Sequence, residues 1–124
     1  MVDLIFAEES YEIIGICMET HAELGSGFSE IVYKDALEYE LQKRNIPFTR
    51  EQQFCIKYKD VILPHRFCAD FVIMDKIILE AKAVSQLNKE HMEQTMNYLS
   101  ASGLKLGLLV NFRGPKLQYR RLLF

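Results

Sequence analysis

The chain has 124 residues, enough for one domain with a sizeable core and too few for two. Hydrophobic residues make up 49% and charged residues 26%, an ordinary balance for a soluble globular protein, and no run is long enough to span a membrane. A net charge of −2 and a pI near 5.9 argue against a protein that coats nucleic acid, but not against an enzyme that acts on it: metal-binding acids lower the pI, and a bound cation restores positive potential locally.

Residues 1 to 7 hold a short apolar stretch with no basic start and no small-residue cleavage site. No signal peptide is expected, and the chain reads as cytoplasmic. Cys17, Cys55 and Cys68 are odd in number and sit inside apolar patterns, which predicts buried reduced thiols rather than disulfides or a zinc site.

A helix is predicted over residues 8–24. Ile13, Cys17, Thr20 and Leu24 fall at helical spacing, and Glu8, Glu9 and Glu12 stand in the early turns, where the helix dipole favours acids. Gly25-Ser26-Gly27 ends it. His21 is read as a polar-face or partly buried histidine with no catalytic role. A second helix follows from Ser29, its N-cap, to Lys43, with Val32, Ala36, Leu37, Tyr39 and Leu41 as its apolar face. Glu30 and Tyr33 share one side of it. Taken alone, Glu30 is a first-turn acid that complements the dipole. Asn45-Ile46-Pro47 breaks this helix.

Residues 52–59 alternate as a strand, with Phe54, Ile56 and Tyr58 on one face and Cys55, Lys57 and Lys59 on the other. Val61–Leu63 reads as a short strand ending at Pro64. Residues 66–84 then form two apolar strands joined by a tight turn at Asp75-Lys76. The first carries Asp70 and the second Glu80 and Lys82. Side chains alternate along a strand, so Glu80 and Lys82 point the same way as Ile78, opposite Leu79 and Ala81. A strand apolar on both faces is an inner strand, and charges inside one are costly unless paired or bound to something. Two readings stay open on these residues alone: a cross-strand ion pair between Asp70 and Lys82, or a metal site with Lys82 against a phosphate or a water.

A third helix is predicted over Ser85–Ser102, with Leu87, Met92, Thr95, Met96 and Leu99 as its buried stripe and Gln94 and Tyr98 on a neighbouring one. Residues 104–112 form an apolar strand. Leu117–Phe124 reads as a last strand, with Lys116, Arg120 and Arg121 as its basic residues, either a phosphate-contacting edge or a solvated one. A helix between two strands implies a parallel pair and the hairpin an antiparallel one, so the fold class is α/β, a single-domain mixed sheet flanked by helices.

In chain order, Glu30, Asp70, Glu80, Lys82, Gln94 and Tyr98 resemble the site of the PD-(D/E)xK nuclease superfamily. Asp70, nine further residues and then Glu80-Ala81-Lys82 match its acid followed by acid-x-lysine, with Ala69 in place of the proline of the name. Gln94-x-x-x-Tyr98 resembles the glutamine-tyrosine helix motif of its RecB-like branch. Gly27-Phe-Ser-Glu30-Ile-Val-Tyr33 resembles the motif that names the GxxExxY family, and Leu106–Phe112 resembles that family's late strand. The resemblance runs from about residue 8 to residue 124.

It implies a restriction-endonuclease-like core and a divalent-metal-dependent nuclease acting on DNA in preference to RNA. It also implies roles. Glu30, Asp70, Glu80 and the Ala81 carbonyl would hold Mg²⁺ or Mn²⁺. Lys82 would stabilise the attacking water or the phosphate charge, Gln94 would orient the site, and Tyr98 would contact the nucleic-acid backbone or serve as a core aromatic. The face of Glu80 and Lys82 would line a cleft beneath the Glu30 helix, and Tyr33 would pack that helix on the sheet and bond a site acid. Small nucleases of this fold often act as oligomers, so a homo-oligomer is a candidate, with no membrane involved. The competing function is a non-catalytic module that binds nucleic acid or protein on the same fold.

Overall fold

The structure is a computed structural model and describes residues 5–124. The single domain drawn from residue 1, and the reading of residues 1 to 7 as lacking a leader, therefore lie partly outside the described residues. The elements are α1 (Ala7–Leu24), α2 (Glu30–Lys43), β1 (Phe48–Tyr58), β2 (Val61–Ile73), β3 (Ile77–Lys82), α3 (Lys89–Ser102), β4 (Leu106–Asn111) and β5 (Gln118–Leu123). No helix among the described residues is long and apolar enough to cross a membrane.

The five strands form one sheet in the order β1-β2-β3-β4-β5. Every neighbouring pair is antiparallel except β3 and β4, which run parallel because α3 carries the chain back across the sheet. This is the expected mixed sheet flanked by helices.

Helices α1 and α2 cover one face. Ile13, Ile16 and Cys17 of α1, with Tyr33, Leu37 and Leu41 of α2, bury against Ile77, Leu79, Ala81, Leu108 and Val110. Fully burying a side chain of this size contributes about 1.5–3 kcal/mol. Helix α3 covers the other face with a smaller cluster of Ala69, Val72, Ile78, Tyr98 and Leu99. It lies close on β4 at Gly107, where a Cβ would stand 2.8 Å from Thr95 Cγ2. It ends at Gly103, whose φ of 75° is the left-handed cap that glycine adopts without strain.

Several boundaries differ from expectation. Strand β2 runs unbroken through Pro64. The β1–β2 register shifts between Cys55 and Lys57, and residues 63–65 have no partner in that ladder, so the missing proline N–H leaves no bond unmade. The β2–β3 turn centres on Met74 and Asp75, with φ of 56° and 54°, rather than on Asp75-Lys76, and Lys76 N–H closes it on Ile73 O at 3.1 Å. Helix α3 starts at Lys89, because the Asn88 side chain caps the His91 N–H and His91 returns the bond; Ser85 and Leu87 precede it. On α2, Tyr39 is exposed and Tyr33 is fully buried in its stead. Only Cys17 is a buried thiol, whereas Cys55 and Cys68 are exposed; all three are free.

Candidate active site

Strict alternation would keep Phe67, Ala69, Phe71 and Ile73 on one face of β2. They do not stay there: Phe67 and Ala69 pack with the α3-side cluster, Phe71 and Ile73 with the α1/α2 core. The switch falls at Asp70, opposite Glu51, whose φ is 57°. The β2–β3 ladder also stops at Phe71↔Leu79. Asp70 thus stands where β2 peels away from β3 and the backbone groups of both strands need new partners.

The two acids supply them reciprocally. Glu80 accepts the Asp70 N–H on Oε2 at 2.6 Å, and Asp70 accepts the Ala81 N–H on Oδ2 at 2.9 Å. Glu30, in the first turn of α2, accepts the Ala83 N–H on Oε2 at 3.3 Å. In a strand the C=O of a residue leaves on the same edge as its N–H, so the Ala81 carbonyl faces the Asp70 side.

The Asp70–Lys82 ion pair does not form. Asp70 Oδ1 pairs with Lys34 Nζ at 3.0 Å, and Lys34 also bonds Glu51. Lys82 Nζ donates instead to Gln94 Oε1 at 3.1 Å, which joins β3 to α3. Glu80 is 2% exposed and makes no ion pair among the described residues. Burial, and next the charge of Asp70, push its carboxyl up to about 8. Burial pulls Lys34 down, but its bonds to Glu51 and Asp70 outweigh that and leave it raised. The same Lys34 bond holds Glu51 below the usual carboxylate range.

Tyr98 is buried, with its ring T-shaped to Phe67 at 5.4 Å. Burial, followed by the charges of Glu80 and Asp70, raises its hydroxyl to about 12. The cleft does not lie beneath the Glu30 helix. Glu80 and Lys82 share the face of Ile78, which α3 covers, whereas α2 packs on the opposite face and only its first turns reach round the end of β3. Tyr33 bonds no site acid: it stacks on Phe112 at 4.6 Å and donates to Gly25 O at 2.6 Å. His21 bonds Gly114 O at 2.9 Å, a tether from α1 to the loop after β4.

Two residues escaped the sequence reading. Lys34 lies one helical turn after Glu30, so its approach to the site was legible from spacing. Asn111 is a buried amide at the end of the apolar strand β4. It accepts the Val84 N–H at 3.0 Å and donates to Val84 O at 2.8 Å, fixing the segment after Lys82.

Among the described residues no three His, Cys, Asp or Glu side chains stand together as a ready metal-binding group. Asp70 and Glu80 do stand together, and Glu30 reaches the same end of β3. Their chemistry fits a hard divalent cation: oxygen donors only, with one carboxylate buried and lacking a cationic partner. Each carboxylate takes a backbone N–H or Lys34 as its positive partner.

Solved structures share the fold, and two of them illustrate the likeness. One, titled "Crystal structure of SSO0001", aligns with a TM-score of 0.60 at 19% identity over 74% of this chain and 48% of its own. This chain thus spans about half the length of that protein. The other is an alkaline exonuclease (LHK-Exo) from Laribacter hongkongensis, with a TM-score of 0.52 at 11% identity over 99% of this chain and 72% of its own. No curated protein matches the chain. The family model of the PD-(D/E)XK nuclease superfamily matches residues 7–122, almost the whole chain, and the chain belongs to that superfamily.

Proposed function

We propose that the chain is a divalent-metal-dependent nuclease that hydrolyses phosphodiester bonds, in DNA ahead of RNA, and that it belongs to the GxxExxY family within the RecB-like branch. The observation that carries this is the buried Glu80 carboxylate beside Asp70, which Lys82 leaves unpaired while donating to Gln94. A plain structural ion pair would have joined Lys82 to one of the acids. A buried acid with no ion-pair partner costs stability, as a carboxylate or as the protonated acid, so its presence points to a ligand that binds it. The chemistry of the exonuclease named above supports the same class.

Asp70, Glu80, the Ala81 carbonyl and Glu30 are the residues that would hold Mg²⁺ or Mn²⁺. The ion would activate water and offset the negative charge that builds on the phosphoryl oxygens. Lys82 donates to a non-bridging phosphate oxygen, where negative charge grows as water attacks and the bridging P–O bond breaks. Gln94 fixes the lysine's direction. Lys34 acts through Asp70 as a positioning residue. Tyr98, on the same face, offers its hydroxyl to the backbone of the bound strand.

The test is cleavage of labelled single-stranded DNA, duplex DNA and RNA with Mg²⁺ or Mn²⁺, comparing wild type with Glu80→Ala and Lys82→Ala, with folding checked by circular dichroism. Metal-dependent cutting by wild type and its loss in both variants is expected. Equal cutting by all three proteins, or none by folded wild type on any substrate, would overturn the assignment.

A further inference from the structure

Beyond Asp70 the sheet divides: β3, β4 and β5 stay paired through Lys82, while β1 and β2 leave as a two-stranded ribbon. Strand β2 pairs with β3 only over Phe71–Ile73, whereas β1 and β2 stay paired out to Tyr58↔Val61. At about 3.3 Å per residue, residues 61–70 carry this ribbon roughly 30 Å from the site. Its root is covered: Phe54 and Phe67 pack with Tyr98 and Leu99 of α3. Its tip is bare, with Tyr58, Val61 and Ile62 all more than half exposed.

The ribbon's charge differs from that of the chain. Residues 52–69 hold Lys57, Lys59 and Arg66 against a single acid, Asp60, in a protein of net charge −2. Among the described residues, Lys57, Lys59 and Arg66 pair with no carboxylate, a state they share with other cations such as Lys105 and Lys116; what sets the ribbon apart is that its cations stand together beside exposed Tyr58. Lys59 lies over the Tyr58 ring at 5.4 Å, and Arg66 bonds Leu63 O. Unpaired cations beside an exposed aromatic ring match the backbone and bases of a nucleic-acid strand.

A groove of about 530 Å³ separates the ribbon from α3, lined by Lys57 and Phe67 on one side and by Asn97, Ser100 and Ala101 on the other. Gln94, the partner of Lys82, lies on the α3 stripe that continues through Asn97 to Ala101. That stripe is about 10 Å long at 1.5 Å per residue. Lys57, on the ribbon wall of that groove, thus faces a different phosphate of the same strand from one held at Lys82.

We propose that the β1–β2 ribbon is a nucleic-acid grip, and that the strand to be cut runs along the groove between it and α3 with Lys57 on a backbone phosphate. The register to the cut phosphate rests on the nuclease reading; the grip does not. The test is fluorescence anisotropy of a labelled single-stranded DNA of about 20 nucleotides in EDTA, which removes metal and cleavage, across a salt series. Wild type is compared with Lys57→Ala, with the triple variant Lys57→Ala/Lys59→Ala/Arg66→Ala and with Lys105→Ala, an exposed lysine off the ribbon. The triple variant is expected to bind at least 10-fold more weakly and to lower the log–log salt slope by about 2, Lys57→Ala to lower it by about 0.7, and Lys105→Ala to leave it unchanged. Unchanged affinity and slope in the triple variant would overturn the proposal, as would equal displacement of the DNA by poly-glutamate at matched ionic strength. Ribbon-dependent binding without cleavage by any protein would sustain the grip while the nuclease reading fell. Cleavage indifferent to the ribbon would do the reverse.

Discussion

Strand β3 has two buried faces that are built differently. On one, Leu79 and Ala81 meet α1 and α2 in a core of aliphatic and aromatic side chains. On the other, Ile78 meets only α3 and a smaller cluster, and Glu80 follows it at almost the same burial as Leu79. Burial alone does not separate them; the partners do. Leu79 gains from its apolar neighbours, whereas Glu80 loses its hydration and is repelled by Asp70, and the one backbone N–H it accepts and the charges of Lys82 and Lys34 do not outweigh that. One face holds the fold together, and the other buries an acid that the fold would be more stable without.

The sharpest break of this comparison is on the filled face. Leu79→Ala is expected to lower stability by about 2–5 kcal/mol in urea unfolding, the range for a buried leucine whose site cannot collapse. On the charged face the effect should depend on pH. The folded state holds the Glu80 proton up to about pH 8, while the unfolded chain releases it near 4.5. Between those values the unfolded state binds fewer protons, so metal-free wild type should lose stability as pH rises from 4.5 to 8, by on the order of a few kcal/mol, and then level off. Glu80→Gln should flatten that part of the curve; a wild-type curve with no such fall would refute the burial argument.

Lys82→Ala should separate activity from stability. Cleavage is expected to fall at least about 100-fold, as when a donor to developing charge is lost. Stability should change by less than about 1 kcal/mol, since the ammonium bonds only Gln94. The smallest effect belongs to Tyr33→Phe. It removes the bond to Gly25 O but keeps the ring on Phe112, and should cost about 1 kcal/mol with cleavage unaltered.

Much of this was legible from sequence where one physical rule governed. The helix between two apolar strands gave the parallel β3–β4 pair, and period-two alternation put Glu80 with Lys82. It failed where rules competed. Pro64 reads as a strand end, but a register shift in the partner strand absorbs it. Ser85 looks like a helix start, but the reciprocal Asn88–His91 cap is stronger. The position of the cleft depends on which helix covers which face, and strand alternation names two faces without saying which helix takes each. The Lys34–Asp70 pair was missed because the pattern drew attention to Lys82, two residues from the second acid, and not to the lysine one turn after Glu30.

The most direct measurement is a calorimetric titration of Mn²⁺ into wild type and Glu80→Gln at pH 8. If Glu80 and Asp70 hold a cation, wild type should bind Mn²⁺ with release of protons, and Glu80→Gln should bind at least 10-fold more weakly. Equal binding by both proteins, or none by wild type, would contradict that claim.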